Sequence, residues 1–164
     1  MIEETRILPE CYADSLLIRF IRKMVPQHMN GNSNVAKFMK NQKNKKKPLI
    51  GVVDSDKFKK TPPYFNSFTV TLDKKDNLIL KQQPNTKQYI IFVCPKFEPW
   101  IWNCAVLANV DSTKGGYTNL NALYKATKRA ELDSKFKNFL NSVVQKNPSP
   151  IKTMRNWLNK IIEN

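Results

Sequence analysis

The sequence predicts an α/β fold: a mainly parallel central sheet flanked by helices, with a hairpin insertion and a helical C-terminal part. Three observations carry this reading. The continuous apolar runs at 49–53 and 89–94 suit buried strands rather than half-exposed ones. Apolar residues at helical spacing precede the first run and follow the second. Beyond residue 117 only helical spacing remains. The chain of 164 residues is long enough to bury one core, so it reads as a single domain, 1–164, with a core over about 5–110 and a helical extension over about 117–164.

Residues 5–9 form a short first strand, with Pro9 tolerated at its end. Ala13, Leu16, Leu17, Phe20, Ile21 and Met24 follow at helical spacing, and Pro26 stops that helix. Residues 28–34 are rich in Asn and Gly and read as a loop, after which Ser33 or Asn34 caps a short helix through Val35 and Met39. Residues 57–65 carry Pro62-Pro63 and read as irregular. Residues 68–72 and 78–80 flank a polar loop at 73–77 as a hairpin. Pro95 ends the strand at 89–94, and 97–108 reads as an amphipathic helix with Pro99 near its first turn. Gly115-Gly116 marks a turn, Thr118 caps a helix through Leu120, Leu123 and Tyr124, and two more helices follow around 136–144 and 154–162.

Composition narrows the partners. The formal charge is +15, from 28 Lys+Arg against 13 Asp+Glu, which points to a polyanion such as nucleic acid. Only five of those 28 are Arg, the residue suited to bidentate phosphate contacts, so an A-rich genome supplying Lys and Asn codons is the competing source of the charge. The charge is uneven: residues 37–60 hold nine lysines against Asp54 and Asp56. No apolar run approaches the roughly 20 residues of a membrane span, and no basic-then-apolar leader opens the chain, so the expected setting is cytoplasmic. Cys11, Cys94 and Cys104 read as reduced thiols. With His28 the only histidine, zinc is not expected.

Asp54 and Asp56 close the apolar run at 49–53, and an Asp-x-Asp at a strand end places both carboxylates on one side of an extended backbone. Glu10 ends an earlier apolar stretch. If the two strands are neighbours, three acids converge on one sheet edge, as in sites for Mg²⁺ or Mn²⁺. The same aspartates could instead cap the next segment or pair with Lys57, Lys59 and Lys60. Asp14 either completes the acidic cluster or favours the positive end of its own helix. Glu98, between a strand end and a helix start, carries the same two readings. Trp100 and Trp102 read as core or interface residues. Lys125 and Lys128, three apart on one helix face, could neutralise a bound phosphate or form a solvated face. There is no Ser-His-Asp set, P-loop or dinucleotide fingerprint.

Glu10, Asp14 and Val53-Asp-Ser-Asp56 together resemble the Toprim pattern, the catalytic fold of topoisomerases, primases and small nucleases. The family's first motif commonly reads Glu-Gly-x-x-Asp; here it is Glu10-Cys-Tyr-Ala-Asp14, without the glycine. Pro95-Lys-Phe-Glu98-Pro-Trp100 resembles a Pro-x-x-Glu-x-Trp element of small Toprim-like proteins, several tied to defence systems. The resemblance covers residues 5 to about 105. It implies that Glu10 is the general acid/base and that Asp54 and Asp56 hold the metal, with Asp14 completing the acidic cluster; from their positions Glu10 and Glu98 are candidate metal ligands as well. The expected function is a Mg²⁺-dependent nuclease or related phosphodiester-processing enzyme, with Lys57, Lys59, Lys60, Lys125 and Lys128 contacting nucleic acid and a partner protein possible. The alternative is a non-catalytic nucleic-acid-binding or interaction module that retains an acidic cation site.

Overall fold

The computed structural model describes residues 6–56, 59–113, 116–129 and 133–164. Its elements in chain order are β1 (Arg6–Pro9), α1 (Tyr12–Arg22), α2 (Asn32–Asn41), β2 (Leu49–Asp54) and a 3-10 helix (Pro63–Ser67). Then follow β3 (Val70–Lys75), β4 (Leu78–Gln82), β5 (Gln88–Val93), α3 (Phe97–Leu107), α4 (Leu120–Thr127), α5 (Ser134–Lys146) and α6 (Ser149–Glu163). The strands form one sheet of order β1-β2-β5-β4-β3.

The sheet is mixed where a mainly parallel one was expected. β1, β2 and β5 are parallel, with Leu8 opposite Gly51 and Gly51 opposite Ile90. β4 runs antiparallel to β5, and β3 antiparallel to β4. The hairpin thus extends the sheet and occupies one edge. The residues between β4 and β5 are too few for a helical crossover, so an antiparallel return is the available pairing. The hairpin loop is also shorter than the 73–77 expected. Asp76 and Asn77 both take positive φ, 55° and 57°, which makes the two-residue turn of twisted hairpins, and β3 runs on to Lys75. A bulge at Leu72 shifts the register between Thr71 and Asp73.

Period-two burial sends alternate residues of the three parallel strands to two cores, while β4 adds to the first alone and β3 is exposed along its length. On one face Ile7, Ile50, Val52, Leu78, Leu80 and Ile91 pack with α1, α3, α4, α5 and α6. On the other, Leu8, Leu49, Val53 and Ile90 pack with Val35, Ala36 and Met39 of α2 and with Phe65 and Phe68. Gly51 sits beneath α2: an added Cβ would lie 3.0 Å from Val35 Cγ1 and 3.3 Å from Met39 Sδ. The absence of a side chain there sets how closely the helix seats on the sheet.

Helix ends show where local signals were incomplete. α1 stops at Lys23, left-handed at φ 54°, ahead of Pro26. α2 begins after Gly31, without a side-chain cap from Ser33 or Asn34. Asn119, not Thr118, caps α4 by accepting from the Ala122 amide at 2.9 Å. α6 starts at Ser149 rather than near 154, with Pro150 in its first turn, where a missing N–H is harmless. α5 and α6 are integral to the larger core: Phe136, Leu140, Val143, Ile151, Met154 and Leu158 are each fully buried in it. Among the described residues no helix is long and apolar enough to cross a membrane.

Candidate metal centre

The C-terminal ends of the parallel strands bring the acids together. Glu10 follows β1 directly and is 4% exposed. Its Oε2 accepts from the Asp54 amide at 2.9 Å, tying the end of β1 to the end of β2. Its Oε1 accepts from Lys59 Nζ at 3.1 Å, an ion pair that is buried only on the glutamate side. Asp54 terminates β2 half-buried, and its Oδ1 accepts from the Phe97 amide at the start of α3, 3.0 Å away. An acid there is favoured by the positive end of the helix. Glu98, in the first turn of α3, accepts from Thr127 Oγ1 of α4 at 2.8 Å.

Asp14 is the most confined of the set. It lies in the first turn of α1 with no solvent exposure. Its Oδ2 accepts from Cys11 Sγ at 3.0 Å, while its Oδ1 is buried without a hydrogen-bond partner. An orphaned carboxylate oxygen in a protein interior is costly unless a proton or a cation joins it.

The electrostatics show that these four acids form one group. Burial pushes the Asp54 carboxyl up to about 9, and the charges of Asp14, Glu10 and Glu98 push in the same direction against the pull of Lys59. Burial likewise raises Asp14 to about 7; the Cys11 hydrogen bond opposes this, and Glu10 and Glu98 add to it. Burial, with Asp14 beside it, pushes the Cys11 thiol up, so it stays a protonated donor. Partial burial opposes the charge of Lys59, yet Glu10, Asp54 and Asp56 hold its pKa above the ordinary lysine value. Burial first, and the neighbouring carboxylates second, thus favour the protonated forms of Asp14 and Asp54.

The expected site residues fall into distinct places. Glu10, Asp14, Asp54 and Glu98 share the cluster. Asp56 lies just beyond β2, half-buried, and its charge acts on Lys59 and Lys96. Lys59 reaches Glu10, whereas Lys60 is exposed. Lys57 lies outside the described residues. Lys125 and Lys128 line a separate cleft of about 520 Å³ with Tyr117 and Arg129. Trp100 is buried, its indole N–H donating to the Asp76 carbonyl at 3.1 Å, and Trp102 is half-buried against the same core.

Two contributors carry no motif-level signal of their own in the sequence. Cys11 occupies the position after Glu10 and supplies the hydrogen bond to Asp14. Lys96 stands beside Glu98, 4.6 Å over the Tyr124 ring. Its one pointer is its place inside the Pro95–Trp100 motif.

All four acids offer hard oxygen donors suited to Mg²⁺ or Mn²⁺, and the orphaned Asp14 oxygen fits a missing positive partner. Among the described residues, however, no three His, Cys, Asp or Glu side chains are arranged to hold a metal ion. The physical reason is visible in the partners: an amide, a thiol, an ammonium and a hydroxyl each engage a carboxylate. Compared with known proteins, the chain matches no protein-family model, no curated protein and no solved structure.

Proposed function

We propose that this chain is a Toprim-like, Mg²⁺- or Mn²⁺-dependent nuclease or related phosphodiester-processing enzyme. The observation that carries the proposal is the cluster of Glu10, Asp14, Asp54 and Glu98 at the C-terminal ends of parallel strands, with an orphaned oxygen on Asp14. Strand C-termini of open α/β sheets are where such folds place ligands. Asp54 and Asp56 would hold the cation, with Glu98 adding a carboxylate from α3. The bound cation would polarise a phosphate oxygen and offset charge as the P–O bond breaks. Glu10 would move the proton, its carboxylate oriented by the Asp54 amide and Lys59. Asp14 would fix the cluster's net charge from behind. Lys59, now paired with Glu10, would turn toward an incoming phosphate.

The test is cleavage. Purified protein with Mg²⁺ or Mn²⁺ should nick or cut DNA or RNA, and Glu10→Gln or Asp54→Asn should lower the rate at least ~100-fold, the order typical of losing a proton-transfer group. Cleavage at the wild-type rate in both variants would mark a contaminant and overturn the assignment. One observation favours the second reading, a binding module that keeps the acids for structure: every carboxylate of the cluster already has a protein partner. Cation-dependent stabilisation without cleavage of any substrate would select it.

A further inference from the structure

The cleft that opens from Asp54 and Asp56 continues across the sheet toward the hairpin. It has a volume of about 490 Å³, within the ~300–1,000 Å³ of small-ligand sites. α2 and the 3-10 helix cover this face over β1, β2 and β5, as their shared core shows. β4 and β3 are less covered on this face: Ile79 and Lys81 are half-buried and Lys74 is exposed, with Phe65 and Asn66 of the 3-10 helix walling the same cleft. Ile79 and Phe92 are direct cross-strand partners and form the apolar floor. Phe65 holds the Phe92 ring edge-to-face, with centroids 6.2 Å apart.

The cations on this face follow from register. Lys81 lines the cleft directly, and Lys59 lines it beside the acids. Lys74 pairs with Ile79 across the hairpin, so its exposed side chain rises from the same face. Thr61, Asn66 and Thr69 add hydrogen-bonding groups along the walls. Apolar floor, lysine margin and acidic end thus form one continuous channel.

We infer that this open hairpin face binds single-stranded nucleic acid and leads its backbone to the Asp54–Asp56 end. The inference rests on the proposed phosphodiester chemistry for its direction, but not for the binding itself. An apolar floor can take the flat face of a base only when that base is unstacked, so a duplex, whose faces are already covered, gains little from it. Lys59 and Lys81 in the cleft and Lys74 on the same face offer cations to a phosphate backbone, and charge complementarity with a +15 chain favours a polyanion.

The experiment is fluorescence anisotropy in EDTA, with a labelled single-stranded 12-mer as DNA and as RNA, the matching duplexes, and an abasic 12-mer. The single strand should bind about tenfold tighter than either its duplex or the abasic strand. The double variant Lys74→Glu/Lys81→Glu should lose about tenfold in single-strand affinity and reduce the log–log salt slope by about 1.4, ~0.7 per contact. The control variant Lys152→Glu/Lys160→Glu on α6, both residues exposed and behind the sheet, matches the change in net charge and should leave binding nearly unchanged. Circular dichroism of the double variant confirms that it is folded. Equal binding of duplex and single strand, equal binding of the abasic strand, or equal loss in Lys152→Glu/Lys160→Glu would overturn the inference. Cleavage separates the two claims: single-strand binding with no cleavage in any metal keeps this face and removes the enzymatic reading. Cleavage of duplex that Lys74→Glu/Lys81→Glu leaves intact does the reverse.

Discussion

Asp14 and Asp54 hold protons that an unfolded chain would release, and this gives the cluster a pH signature. Both carboxyls are raised in the fold, from an ordinary value of 3.8 to about 7 for Asp14 and about 9 for Asp54, chiefly by burial. Between 3.8 and those values the folded state binds more protons than the unfolded one, so metal-free stability falls as pH rises. Melting temperature in EDTA should decline from about pH 4 toward about pH 9. Asp14→Asn should flatten the lower part of that slope, and Asp54→Asn the part that extends to higher pH; unchanged slopes would mean that neither acid is buried as described. Lys59 supplies a second test. It is the cation paired with Glu10, so Lys59→Met leaves the acids more in need of a divalent ion and should tighten Mn²⁺ binding roughly threefold to tenfold, as removal of a competing nearby charge does. Weaker Mn²⁺ binding in that variant would show Lys59 to be a support of the site and not a competitor.

Elements position these residues through close packing, and two substitutions measure that. Gly51→Val inserts a branched side chain whose Cβ alone would stand 3.0 Å from Val35 Cγ1, and should cost about 1–3 kcal/mol by chemical denaturation. Leu158→Ala in α6 removes a fully buried side chain and should cost about 2–5 kcal/mol. A cost near zero for Leu158→Ala would mean that α6 is a detachable appendage. Several elements are legible in the sequence because their signals are local. β2 and β5 are short runs of large apolar residues, α1 has a 3.6-residue period, and prolines punctuate the ends. What stayed hidden depends on distant partners. The hairpin's place beside β5 is a pairing choice that no local window encodes. Trp157 of α6 donates to Asp73 at 3.1 Å, and Asp76 accepts from Ser149 and Thr153, all contacts between residues far apart in the chain. Asn119 takes the cap one residue after Thr118, a shift within the range that local signals leave open, and asparagine is the stronger N-cap type.

At the scale of the whole molecule, one sheet carries a core on each of its two faces. The larger core, with α1 and α3 to α6, fixes Asp14, Asp54 and Glu98 from behind. The smaller core leaves the hairpin face open beside the acidic end. Glu10 and Asp54 could be paired from the sequence because both follow apolar runs, and the parallel β1–β2 pairing brings them to hydrogen-bonding distance, 2.9 Å. The full burial of Asp14 was not legible, since a first-turn aspartate is common on helix surfaces and only the packed neighbours decide its exposure. The gathering of proton-holding carboxyls at one end of the sheet is tested most directly by titrating Mn²⁺ into the metal-free protein at about pH 8 by calorimetry in two buffers of different ionisation heat. The cluster predicts a binding event that releases protons, because the raised carboxyls must give them up, and that is lost in Asp54→Asn. No binding, or binding without proton release that persists in Asp54→Asn, would contradict it.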